Sequence, residues 1–196
     1  LGVPATVIEA AVAARNLSSR LEMRQKGESL FGAAPQRLAE GQLTIDTLGN
    51  ALIAGKIMCY TQGFELLAAL SAANDWTLPM PEIAKVWREG CIIRSTMLND
   101  MANALAESPD ANLMFSDFFA RLMRDTQSDL RQTVSLAAQS GLPAPALSAG
   151  LSYFDMMRTS HSTANLIQAQ RDFFGAHGFE RRDAKGAHHG PWGSNS

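Results

Sequence analysis

Cysteine is scarce in this chain: Cys59 and Cys91 are the only two among 196 residues. Both lie in apolar runs, IMCY and GCII, and read as reduced, buried thiols suited to a reducing cytoplasm. An excess of one charge is missing as well. Seventeen Lys and Arg stand against nineteen Asp and Glu, a net charge of -2, so the chain as a whole generates no field to hold a nucleic acid or an anionic membrane. Any anion it binds must be held by a local cluster. No apolar run approaches the roughly 20 residues that span a bilayer, and no charged, apolar and small-residue signal pattern opens the chain. There is no P-loop, GxGxxG, paired CxxC, HExxH or GxSxG, so self-contained nucleotide or metal chemistry lacks its main supports.

No alternating strand pattern of useful length occurs either, and the expected fold is all-α. The composition, 46% hydrophobic and 18% charged, is that of a globular protein, and the length suits one buried core. Apolar residues recur at three- and four-residue spacings from Pro4 to Phe31, which predicts one long amphipathic helix. Gly32 to Pro35 breaks it, and Thr44 to Ala73 resumes the pattern with few polar interruptions, as a core helix does. Shorter helices are expected from Pro81 to Cys91, Met97 to Leu105 and Asn112 to Phe119. A long one from Phe118 to Gln139 stops at Ser140-Gly141-Leu142-Pro143, and helices over Pro145 to Met157 and Ala164 to Phe174 complete the set.

Three of the four histidines lie in the last thirty residues, beside a dense set of charges. Arg171 and His177 stand six apart across Phe-Phe-Gly-Ala, so the first can close a helix while the second projects from the turn after it. Together they present donors for a phosphate or carboxylate; alternatively, Arg171 pairs with Asp172 or a helix C-terminus and His177 packs. Arg15, flanked by alanines inside the first helix, reads as a buried ion-pair partner or an oxyanion clamp. Lys56 in AGKIMCYTQGF offers a desolvated amine for acid/base work or, in the commoner arrangement, a stem that carries its ammonium to solvent. His188 and His189, set among Gly, Pro and Ser, have no third or fourth ligand held in place and read as a solvated tail, with no metal site expected.

The segment ANLIQAQRDFFGAH followed by GFER resembles the C-terminal signature of the 6-phosphogluconate dehydrogenase family. GVPATVIEAAVAARNLSS, ALIAGKIMCYTQGFELL, VWREGCIIRS and LSYFD extend that resemblance over residues 1 to 192. It implies a multi-helix C-terminal domain of that type, with residues 1-178 as a substrate-binding and dimerisation domain and 179-196 as an extended tail. The opening Leu1-Gly2-Val3-Pro4, without an initiator methionine, fits a piece of a longer protein. By the resemblance, an N-terminal Rossmann domain that binds NADP is absent from this chain, and the family's KGTGKW motif and its catalytic lysine and asparagine lie upstream of residue 1. The family's phosphate-binding positions fall on Arg15 and, donated by the partner subunit of a homodimer, on Arg171 and His177. Lys56 matches a second copy of the family's lysine helix and takes no catalytic role, and none passes to His188 or His189.

The implied activity of the parent enzyme is oxidative decarboxylation of 6-phosphogluconate to ribulose 5-phosphate with NADP, in the pentose phosphate pathway. This chain would be inactive alone and would supply phosphate binding and the dimer interface. Two other readings stay open: a non-catalytic dimerisation and anion-binding module, and a related dehydrogenase acting on a non-phosphorylated hydroxy acid.

Overall fold

A computed structural model describes residues 1–109 and 111–193. Among them are eight α-helices: α1 (Thr6–Ser18), α2 (Leu21–Phe31), α3 (Ile45–Ala73), α4 (Met80–Gly90), α5 (Met97–Glu107), α6 (Asp117–Gln139), α7 (Pro145–Met157) and α8 (Ala164–Gly175). The chain divides into two compact units, Leu1–Phe154 and Asp155 onward. This boundary falls near the end of α7.

In the first unit α3 is the central element, packed against α6 and α1. Its buried residues Ala51, Ala54, Met58 and Thr61 recur every three or four positions. On α6 the stripe Phe119, Met123, Thr126, Leu130, Thr133 and Ala137 repeats with the seven-residue period that keeps one helix face on its neighbour. Fully burying each large apolar side chain of such a stripe contributes roughly 1.5–3 kcal/mol. Polar pins fix the register between the helices: the Asn50 amide donates to Asp129 Oδ2 at 2.7 Å. The Thr44 hydroxyl accepts from the Thr47 N–H at 3.0 Å and starts α3. At the far end of α6, Gly141 adopts φ +71° while the N–H groups of Gly141 and Leu142 donate back to the Ala138 and Ala137 carbonyls, the closure the Ser-Gly-Leu-Pro sequence predicts.

The single helix expected from Pro4 to Phe31 is two. The Ser18 and Ser19 hydroxyls donate to the carbonyls of Arg15 and Asn16, offering the backbone an alternative to further helical pairing. Arg24 reaches back to the Ser18 carbonyl at 3.0 Å and closes the corner. The helix expected over Asn112 to Phe119 is a single 3-10 turn, Leu113–Phe115, ahead of α6. The Asn112 side chain accepts from the Met114 N–H and fixes that turn.

In the second unit α8 is followed by two short antiparallel strands, β1 (Phe179–Glu180) and β2 (Ala187–His188), paired Phe179 with His188 and Glu180 with Ala187. The chain after Gly178 thus doubles back as a hairpin within this unit. Arg181 donates from Nε to Asp183 Oδ1 at 2.8 Å inside the loop that joins the strands. No described helix is long and apolar enough to cross a membrane.

Candidate functional site

Arg15 lies near the end of α1, and the position of that helix is set from α3. Ala5 gives α1 no side-chain cap, and the buried Gln62 supplies one from across the core. Its Oε1 accepts from the Val7 N–H at 2.9 Å and its amide donates to Thr6 Oγ1 at 3.1 Å. Gln62 thereby satisfies one of the orphan donors at the helix start and holds α1 along α3. Arg15 is exposed, and among the described residues its guanidinium has no hydrogen-bond or ion-pair partner. Arg15 thus forms no buried ion pair among the described residues. An open apolar groove of 920 Å³ runs beside it, with Ala10, Ala14 and Leu17 of α1 facing Pro143 and Pro145; Arg15 does not line it.

Arg171 and His177 belong to the second unit, on the last turns of α8 and just beyond it. Both are exposed. Arg171 donates to Gln168 Oε1 at 3.3 Å, a long contact to an uncharged acceptor that leaves most of its fork available. It does not pair with Asp172, because that carboxylate is fully used elsewhere. His177 folds over Gly175, where a Cβ would meet its Nε2 at 2.7 Å, so the glycine is what lets the ring lie there. The two residues thus share one end of α8, as the spacing predicts, while Arg15 stands in the other unit.

Asp172, which the sequence reading passed over, is the polar centre of this unit. It is 2% exposed. Oδ1 accepts from the Gly178 N–H at 2.9 Å and lies 2.6 Å from His189 Nδ1. Oδ2 accepts from the Gly190 N–H at 2.7 Å and from Trp192 Nε1 at 2.6 Å. Donation by Gly190, followed by Trp192, His189 and Gly178, outweighs burial and holds the carboxyl well below the usual carboxylate range. The solvated tail expected at His188 and His189 is corrected accordingly: His189 is bound to Asp172, and His188 is half-buried in β2 with Nε2 3.2 Å from the Lys185 carbonyl. The one sequence feature that could have pointed here is the return of Gly190 and Trp192 after a polar loop. Neither residue type names its acceptor.

The other singled-out positions are settled by their contacts. Lys56 carries its ammonium out to the Ser95 hydroxyl at 3.0 Å, the stem-to-solvent arrangement. Cys59 is exposed, not buried as expected, because it faces the open hollow between Tyr60 and Ile93; apolar surroundings still push its thiol up. Cys91 is half-buried, and both thiols are free. A second polar cluster lies within the first unit. Glu65 accepts from the Asn112 amide and from the Tyr153 hydroxyl at 3.0 Å, and burial pushes the phenol up to about 12. With every member partnered, this cluster ties α3 to α7 and shows no free group for chemistry. Among the described residues no cluster of three or more His, Cys, Asp or Glu is placed to hold a metal ion.

The chain matches the family described as 6-phosphogluconate dehydrogenase, C-terminal domain, over residues 1–192. It belongs to that family. It is 41% identical over 194 residues to the decarboxylating 6-phosphogluconate dehydrogenase of Escherichia coli K12, covering 98% of this chain and 42% of the relative. The corresponding enzyme of Lactococcus lactis is 40% identical, with 98% and 41% covered. The structure of Plasmodium falciparum 6-phosphogluconate dehydrogenase, described with its cofactor NADP+ and its substrate 6-phosphogluconate, superposes with a TM-score of 0.88 at 38% identity, covering 97% of this chain and 42% of that one. The chain therefore spans about two fifths of the length of the 6-phosphogluconate dehydrogenases it matches, and the all-helical expectation agrees with their C-terminal domain.

Proposed function

We propose that this chain is the C-terminal part of an NADP-dependent enzyme that oxidatively decarboxylates 6-phosphogluconate to ribulose 5-phosphate. The observation that carries the reading is the family match over residues 1–192, which includes all three candidate phosphate ligands. Their state in the structure supports it: Arg15, Arg171 and His177 are exposed, and none is engaged with a carboxylate. A phosphate monoester offers several anionic oxygens, which guanidinium forks bind in pairs and an imidazole N–H supplements. These residues bind and orient the sugar acid, and no proton transfer is assigned to them.

A glycine-rich turn between a parallel strand and a helix N-terminus, the arrangement that cradles a dinucleotide pyrophosphate, does not occur among the described residues. The residues of this chain do not fit NADP, and none is assigned to it. On this reading its binding falls mainly to the part of the enzyme that lies outside this domain.

The working assembly is a homodimer in which Arg171 and His177 complete the partner subunit's site beside that subunit's Arg15. The exposed apolar residues of α8 support this. Leu166, Ile167, Phe173 and Phe174 are 57–81% exposed, an unusual load for one twelve-residue helix unless a second surface covers it. Two free thiols suit a reducing cytoplasm as the site of action.

The test is kinetic, in the full-length enzyme. Arg171→Ala and His177→Ala should each raise KM for 6-phosphogluconate by about 10- to 100-fold, as expected for losing one charge-assisted contact. An unchanged KM in both would refute the phosphate assignment. Better turnover of a non-phosphorylated hydroxy acid would move the chain to a related dehydrogenase activity.

A further inference from the structure

We propose that Asp172 is a positioning residue for the phosphate-binding pair, its buried carboxylate fixing the turn that carries His177 and the helix end that carries Arg171. The inference rests on the assignment of Arg171 and His177 as phosphate ligands.

His177 is bracketed by two bonds to the same residue. On one side, the Ala176 N–H donates to the Asp172 main-chain carbonyl at 2.8 Å and ends the helix. On the other, the Gly178 N–H donates to Asp172 Oδ1 at 2.9 Å. Between them the chain turns through two left-handed residues, Ala176 at φ +51° and Gly178 at φ +75°. Alanine adopts that region only when its surroundings over-determine it, and the two bonds to Asp172 do so. With Gly175 leaving room for the ring, the His177 backbone is held through both of its neighbours.

The second carboxylate oxygen secures the return of the chain. Gly190 N–H and Trp192 Nε1 both donate to it, and the Trp192 ring meets Phe173 edge-on at a centroid distance of 5.9 Å. A Cβ on Gly190 would clash with that indole, so the position has no room for a side chain as the ring lies. Arg171 precedes Asp172 directly, so whatever locks the Asp172 side chain also fixes the rotation of the last turn of α8. A flexible arginine and a turn histidine are costly to immobilise on a ligand, and a prearranged backbone lowers that cost.

Asp172→Asn replaces one acceptor oxygen by an amide that cannot accept from the backbone N–H it would face. In the full-length enzyme it should raise KM for 6-phosphogluconate about tenfold, with a smaller change in kcat. The discriminating readout is a double-mutant cycle. Combined with the Arg171→Ala/His177→Ala pair, Asp172→Asn should add less than about twofold, because both residues it acts through are already gone. Trp192→Phe removes one of the four bonds without disturbing the charge and should give a smaller rise with the same coupling. It decides the matter if the asparagine variant fails to fold.

An unchanged KM in the folded Asp172 and Trp192 variants would overturn the proposal. So would effects that multiply fully with those of the Arg171→Ala/His177→Ala pair. If instead Arg171→Ala and His177→Ala themselves leave KM unchanged, the phosphate assignment fails first and this inference falls with it. The single variants therefore tell the two failures apart.

Discussion

The unit Leu1–Phe154 and the unit that begins at Asp155 hold their shape by different means. The first is built on apolar stripes of α3 and α6, with polar pins such as Gln62 and Asn50 setting register. The second has almost no core of its own. Among its described residues the one buried side chain is a carboxylate, and the large apolar residues of α8 face outward. A segment that buries a hub of hydrogen bonds and exposes phenylalanines is poorly equipped to be stable alone, and well equipped to be completed by a second surface. On the proposed reading, that second surface is also where its arginine and histidine meet the substrate.

The sharpest way to break this contrast is to attack each unit at its own centre. Phe119→Ala removes a fully buried ring from the α6 stripe and should cost about 3–5 kcal/mol in global unfolding, read by chemical denaturation. A loss under about 1 kcal/mol would mean that this stripe is not the source of the first unit's stability.

Acid should act on the second unit selectively. Asp172 is held below its ordinary value, so its contribution is fully present above the unfolded carboxyl value of about 4 and is lost as pH falls through the folded one. The Trp192 indole N–H and the Gly178 and Gly190 amides should lose protection in acid, and the Asp172→Asn variant should lack that dependence. Amides that stay protected equally in both proteins would contradict the role of the carboxylate.

A smaller effect is expected at the opposite end of the pH scale, in the first unit. Tyr153 is raised, so the neutral phenol's contribution is intact below about 10 and declines as pH rises through about 12. Tyr153→Phe should flatten that alkaline slope while leaving acid behaviour unchanged. A slope that persists would assign it to other groups.

How much of this was legible in the sequence follows the same divide. The limits of α3 and α7 could be read almost to the residue, because Thr44 caps one and apolar spacing continues without interruption through both. The break between α1 and α2 was hidden because serine hydroxyls that capture carbonyls leave the apolar period intact. Asp172 escaped notice for a related reason. Its partners lie 6 to 20 positions away, and two of the four are backbone N–H groups, which carry no sequence signature. Arg171 and His177 were visible as a spaced pair, but their use as phosphate ligands came from resemblance. Gln62, the cap of the helix bearing Arg15, was one more polar residue in an apolar run until α1 was laid beside it.

The most direct test of the central claim, a phosphate site shared between subunits, is complementation by subunit mixing. An Arg15→Ala enzyme and an Arg171→Ala/His177→Ala enzyme should each bind 6-phosphogluconate weakly. Random re-pairing of the two gives hybrids with one intact site each, so activity at low substrate should recover to about a quarter of the unmutated level. Mixtures that recover nothing, although hybrids are shown to form, would place all three residues in one subunit's site and contradict the account.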